Sequence, residues 1–215
     1  MRSSIIVGIS GYTGKALMES MLNNRYFRRI IVLTRRENKR LKNIHLKKVL
    51  VDFSNLENHK EDFLEVEDVF CLLGTDYIST VGLEDAQLFE YDYPMAVARV
   101  AKIQGVKNFF LLNPSNASFE ASAEKLKTRA KLAADIESLG FENFYLFKVN
   151  GIRKPVNVDS GMFAFKKSVG TIFNLVGMGL LDKYKITPAN LLAKKMVEVA
   201  LSNPLDKKVF LPKDY

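Results

Sequence analysis

The chain has 215 residues, and 32 Lys plus Arg against 24 Asp plus Glu give a formal net charge of +8. That length fits one domain, or one domain with a small appended lobe. Hydrophobic residues at 47%, charged residues at 26% and a single cysteine, Cys71, exclude a disordered chain, a collagen-like repeat, a coiled-coil rod and a disulfide framework. In chain order, residues 5–9 (IIVGI) read as a first strand, followed by Gly11-Tyr12-Thr13-Gly14 and a helix over 15–22, where Leu17, Met18, Met21 and Leu22 recur at helical spacing. Further strands are predicted at 29–34 (RIIVLT), 48–53 (KVLVDF), within 66–73 (VEDVFCLL), at 108–112 (NFFLL) and at 143–149 (NFYLFKV). Helices are predicted at 93–104, with Pro94 in the first turn and Gly105 after the end, and at 121–139, ended by Gly140.

Strands that read as continuous apolar runs are buried on both faces, which is the pattern of a parallel sheet with helices on each side. Right-handed crossovers then give an α/β fold with a doubly wound, Rossmann-type parallel sheet. The expected organisation is a single domain over 1–215, with 151–215 adding a small C-terminal lobe. Within it, 161–181 is apolar and Gly-interrupted, and Thr187-Pro188 reads as the N-cap and first residue of a helix over 189–201. A last strand is predicted at 208–211. The 161–181 stretch would pack this lobe onto the sheet, line a substrate pocket, form a homodimer contact or lie on a membrane surface.

The first strand ends in Gly8-Ile9-Ser10-Gly11-Tyr12-Thr13-Gly14, a GxxGxxG pattern that opens into a helix. One Gly permits the tight turn, a second lets the backbone approach a pyrophosphate, and a third lets helix and strand pack closely. The helix N-terminus offers free N–H groups and a positive dipole end to phosphate. The plain alternative is an ordinary strand–helix turn. Beyond the second strand stands Thr34-Arg35-Arg36, where an NAD-selective fold places an acid. Arginine there suits the 2′-phosphate of NADP through bidentate, charge-assisted hydrogen bonds, so NADP is expected over NAD. The alternative is a solvated turn in a basic region. Asp52, at the end of the third strand, accepts from an adenine amino group or forms a turn. Leu73-Gly74-Thr75 ends the fourth strand, where Gly lets a cofactor pass close to the backbone.

With these residues in view, the chain resembles an atypical or extended short-chain dehydrogenase/reductase, of the kind of the small NAD(P)-binding proteins similar to the HIV Tat-interacting oxidoreductase. The glycine loop, 33–36, 51–52, 70–75, 91–93, 105–109 and 186–189 carry the resemblance. It implies a Ser after the fifth strand and a Tyr-x-x-x-Lys pair on the following helix. The phenol donates a proton to a carbonyl oxygen, the Lys lowers its pKa and the Ser orients the oxygen. On this sequence Lys131 takes the Lys place, and Lys127 stands where the Tyr belongs. Ser115 is the orienting hydroxyl, or lies one step out of register with Pro114 in the matching place. No Tyr occurs between Tyr93 and Tyr145. The acid would have to be a Lys of depressed pKa, or a phenol from elsewhere such as Tyr12 or Tyr77.

Lys127 and Lys131 share a helix face and would meet phosphate, an acidic substrate or solvent. Cys71 reads as core, and His45 and His59 as surface residues. The N-terminus lacks a secretory signal, and no charge-free apolar run reaches eighteen residues, so the expected setting is cytoplasmic with no membrane span. Dispersed charge without interleaved aromatics argues against a nucleic-acid partner. Three functional expectations result. The first is an NADP-dependent oxidoreductase of a small carbonyl compound with an atypical catalytic centre. The second is a non-catalytic dinucleotide-binding protein that reports redox state to a protein partner. The third is an interaction domain that has lost the cofactor.

Overall fold

The computed structural model describes residues 1–36, 43–74, 86–155 and 186–215. Strand β1 (Arg2–Val7) leads through the glycine loop into α1 (Tyr12–Leu22). β2 (Phe27–Thr34), β3 (Leu46–Leu50) and a 3₁₀ stretch at Phe53–Phe63, kinked at Asn55 and His59, precede β4 (Asp68–Cys71). A π-helical turn, Leu88–Asp92, runs directly into α2 (Tyr93–Ile103). β5 (Asn108–Pro114), α3 (Glu124–Ser138) and β6 (Asn143–Val149) follow. The short strands β7 (Ile152–Arg153) and β8 (Thr187–Pro188), then α4 (Ala189–Ser202) and β9 (Val209–Phe210), complete the chain.

Seven strands form one sheet in the order β3-β2-β1-β4-β5-β6-β9, parallel throughout. This is the doubly wound order, whose reversal at β1 opens a crevice beyond the carboxyl ends of β1 and β4. The central strands are apolar on both faces because both are covered. On one side Val97, Ala101, Leu132 and Ile136 of α2 and α3 pack with Phe63 and Phe109. On the other, Leu17 and Met21 of α1 and Leu192 and Met196 of α4 pack with Phe70 and Phe110. Cys71 is fully buried in β4, and burial pushes its thiol up to about 11.

Three boundaries differ from the sequence reading. β3 stops at Leu50 because Asp52 turns the chain, accepting from the Ser54 amide at 2.9 Å. Thr187 is not an N-cap: its N–H donates to Gly151 O at 2.9 Å as it pairs with β7, and Pro188 caps α4 without a side-chain hydrogen bond. The last strand is two residues, Val209–Phe210, set against Leu146 and Phe147. The apolar 161–181 stretch lies outside the described residues.

A polar row crosses the amino end of the sheet. Ser4, Asp68, Asn108 and Asn143 are register partners on β1, β4, β5 and β6. Ser4 Oγ donates to Asp68 Oδ2 at 3.1 Å, Asn108 Nδ2 to Asp68 Oδ1 at 2.8 Å and Asn143 Nδ2 to Asn108 Oδ1 at 2.8 Å. Arg2 closes one end on Asp68 (Nε to Oδ2, 2.8 Å) and Lys208 the other on Asn143 Oδ1 (2.5 Å). Burial raises the Asp68 carboxyl pKa, and the Arg2 guanidinium opposes that rise.

Candidate functional site

At the carboxyl end of the same sheet lies a cleft of about 710 Å³, within the range of small-molecule sites. Its floor is the glycine loop. Gly8 adopts φ +96°, and a Cβ there would stand 2.7 Å from the backbone of Leu72. A Cβ on Gly14 would stand 2.4 Å from Gly8 O, so these two glycines let β1, β4 and α1 approach one another. Gly11 differs: its φ is −77°, and a Cβ would meet nothing closer than Gly8 O at 3.7 Å. The space over Gly11 belongs to the cleft. α1 starts there without a side-chain cap, leaving its first amides to another partner. Thr13 Oγ1 is buried beside the loop and has no hydrogen-bond partner among the described residues. An open cradle, uncapped amides and an orphaned hydroxyl together could hold an anionic group such as a pyrophosphate.

Ser10, Tyr12 and Thr13 line the cleft with these glycines, as do Leu73 and Gly74; Thr75 lies outside the described residues. At the end of β2 both Arg35 and Arg36 are exposed along it. Arg35 is laid over the Phe89 ring at 4.3 Å and lies 5.8 Å from the centroid of Tyr93. Asp52 is not among the lining residues. Its oxygens accept from the Ser54 amide and, at 2.7 Å, from Asn55 Nδ2, which hold its carboxyl below the usual value. It acts as the cap of the 3₁₀ stretch, and its neighbour Phe53 faces the cleft in its place.

At the other end of the cleft the lining differs from the catalytic register expected from sequence. α3 presents Lys125, Leu126 and Arg129 to the cleft, not Lys127 and Lys131. Lys127 pairs with Glu124 at 3.8 Å. Lys131 donates to Tyr91 Oη at 2.8 Å and to Asp135 Oδ2 at 2.6 Å, and Tyr91 donates to the same carboxylate. The reason is geometric: a two-residue offset on an α-helix turns a side chain by about 200°. Leu132 and Ile136 set the buried face of α3, and stepping back by three and four residues from Leu132 reaches Arg129 and then Lys125. Ser115 Oγ donates to Asn150 Oδ1, and its backbone N–H to Val149 O at 2.8 Å. It does not line the cleft, whereas Asn113, Pro114 and Asn116 around it do.

Arg129, with 1% of its side chain exposed, joins the carboxyl ends of the strands. Its guanidinium donates to Leu112 O in β5, to Leu73 O beyond β4 at 3.2 Å, to Glu90 O at 3.5 Å and to Asn113 Oδ1 at 2.7 Å. The Glu90 carboxylate, 3% exposed, lies 3.6 Å from Arg129 Nε and 3.7 Å from Lys125 Nζ. Burial lowers the pKa of Arg129, and Glu90 counters it. Glu90 and Phe89 were not singled out from sequence; Glu90 is buried in a π-helical turn, a device common at functional sites.

The chain is similar to protein HTATIP2 of Rattus norvegicus, at 29% identity over 151 residues that cover 68% of this chain and 61% of that protein. The chain thus has HTATIP2 among its relatives and spans less than two thirds of that protein's length. Protein fmp52-1, mitochondrial, of Aspergillus terreus matches over 205 residues at 22% identity, covering 94% of this chain and 88% of that one. Among solved structures, Bordetella bronchiseptica WbmH, determined in complex with NAD+, superposes with a TM-score of 0.65 at 14% identity, over 93% of this chain and 72% of that one. That likeness bears on the fold. No protein-family model matches the chain. No helix among the described residues is long and apolar enough to cross a membrane.

Proposed function

We propose that the chain binds NADP(H) and is an oxidoreductase of the short-chain type with an atypical centre, in which Lys125 and Arg129 stand where the related enzymes use a Tyr and a Lys. The observation that carries this is the joining of two features in one cleft: the open cradle over Gly11, and Arg35 with Arg36 at the end of β2. The cradle suits the pyrophosphate, and the two guanidinium groups suit a 2′-phosphate. When bound, the nicotinamide supplies or accepts a hydride. The protein's own share is to orient the substrate oxygen and exclude water. Lys125 offers an ammonium donor to that oxygen, and Arg129 holds the surrounding backbone in place by its bonds to Leu73 O and Leu112 O.

One observation favours a second reading, a dinucleotide-binding protein without reductase activity. Tyr12, in the glycine loop, is the only tyrosine among the described residues that line the cleft. Titration with NADPH and NADH, repeated on Arg35→Ala/Arg36→Ala, tests the cofactor. NADPH binding that falls at least tenfold in the double variant supports it, and equal binding of both nucleotides removes the NADP preference. A carbonyl screen on a protein that binds NADPH then separates enzyme from sensor. A cytoplasmic setting remains part of this reading, although a relative is named mitochondrial; cell fractionation decides it.

A further inference from the structure

The end of the cleft beside β2 and β3 presents flat surfaces and few acceptors. Phe53 and Phe89 line it, and both pack on Tyr93, at ring-centroid distances of 5.4 Å and 5.3 Å. The Arg35 guanidinium lies over Phe89, so one exposed planar cation covers a cluster of rings. The polar side chains that line this end are Thr34, Arg35 and Arg36. Thr34 Oγ1 donates to Arg36 O at 3.0 Å and accepts from the Arg36 amide at 3.3 Å, so it is spent on its own turn. An arginine side chain has donors only. Asp52, the strand-end carboxylate suited to an adenine amino group, lies outside the lining and accepts from the Ser54 amide and Asn55 Nδ2 instead. Among the described residues no carboxylate lines the cleft.

We infer that this end holds the base of the dinucleotide by its face, on the Arg35 guanidinium and the aromatic side chains around it, and leaves the amino group of adenine unread, so that another purine serves as well. The inference rests on the cofactor reading above. The base is carried by the same ribose as the 2′-phosphate, so a phosphate at Arg35 and Arg36 brings the base to this end of the cleft. A guanidinium is planar and more weakly hydrated than an ammonium, which lets it stack on a ring while its N–H groups donate to phosphate. Stacking tolerates a change of base because every base has a π-face, whereas choosing among bases takes hydrogen bonds to their edges.

The test is calorimetric titration with NADPH and with its hypoxanthine counterpart, in which an oxo group replaces the amino group, and then with NADH on the parent and on Arg35→Lys. The hypoxanthine dinucleotide should bind within about threefold of NADPH, because no paired donor is lost. Arg35→Lys keeps the charge but not the plane, and should lower NADH affinity about two- to fivefold, the worth of a cation–π contact. NADH lacks the 2′-phosphate, so that loss reports the base. Asp52→Asn should leave NADPH affinity unchanged. A wider gap between the two dinucleotides, an NADH affinity that Arg35→Lys does not change, NADH that fails to bind at millimolar concentration, or a loss of NADPH affinity in Asp52→Asn overturns the inference. A protein that binds no nucleotide overturns the cofactor reading as well, whereas one that binds NADPH and rejects the hypoxanthine dinucleotide overturns this inference alone. That comparison uses the unaltered protein and needs no variant to fold.

Discussion

The two ends of the parallel sheet solve the same problem in opposite ways. At both, strand ends and polar side chains must be satisfied away from water. The amino end does so internally: Asp68 is met by Arg2, Ser4 and Asn108, and the row continues to Asn143 and Lys208. The carboxyl end is closed only in part. Arg129 ties down Leu73 O, Leu112 O and Glu90 O, yet α1 starts without a side-chain cap beneath an open cleft, and the buried Thr13 hydroxyl beside it has no partner among the described residues. Both ends are polar, so polarity does not mark the site. The open space over Gly11 and the uncapped start of α1 do.

The largest expected effects test this contrast with one substitution at each end. Asp68→Leu leaves Arg2 without its buried partner and should cost about 3–5 kcal/mol of stability, leaving nucleotide affinity unchanged. Arg129→Met strands the carbonyls of β4 and β5 and should cost a similar ~3–5 kcal/mol, but should also lower NADPH affinity. Urea unfolding and nucleotide titration on both variants separate the two. An Asp68 variant that also lost nucleotide affinity would break the distinction.

Gly11→Ala comes next. Its Cβ meets nothing closer than 3.7 Å in the protein, so the fold should keep its stability within about 0.5 kcal/mol. NADPH affinity should fall about tenfold or more, because the methyl occupies the phosphate approach. Phe89→Ala removes the ring that holds the Arg35 guanidinium in plane, and should reduce the preference for NADPH over NADH only several-fold, in keeping with a cation–π contact of about 0.5–1 kcal/mol.

The smallest effect belongs to the Tyr91–Lys131–Asp135 cluster on the outer side of α3. Hydrogen bonds from Lys131 and Tyr91 lower the Asp135 pKa below 3.8, and the bonds that Lys131 donates to Asp135 and to Tyr91 raise its own above 10.5. The stabilising charge pair is thus present between those limits. It is lost in acid as pH falls through the depressed Asp135 value, and in base as pH rises through the raised Lys131 value. Lys131→Met should lower the melting temperature slightly at pH 7, converge with the parent as pH falls through the depressed Asp135 value, and leave NADPH binding unchanged. A loss of NADPH affinity in Lys131→Met would contradict the position of Lys131 outside the cleft.

The glycine loop, the individual strands and the arginines after β2 were legible because each is local: the turn, the helix start and the strand end lie within a few consecutive residues. The far end of the cleft was not, because it depends on the phase of a helix. Lys125, Lys127, Arg129 and Lys131 offer two i,i+4 pairs, and resemblance to the reductase pattern selects the second. The apolar phase of Leu132 and Ile136 selects the first, and that phase was in the sequence. Asp52 was read as an adenine acceptor or a turn former, and the turn is what the structure shows. A strand-end Asp followed by Ser54 and Asn55 caps its own turn before it can serve a ligand. Glu90 becomes legible only when the π-helical turn brings it under α3.

The most direct measurement is amide hydrogen exchange with and without saturating NADPH, followed peptide by peptide across both ends of the sheet. The account predicts slowed exchange in residues 8–15, 34–36 and 112–116, with none in the amino-end row around Asp68, Asn108 and Asn143. Exchange that is unchanged throughout, or slowed only at the amino end, would contradict the claim that the carboxyl-end cleft holds the dinucleotide.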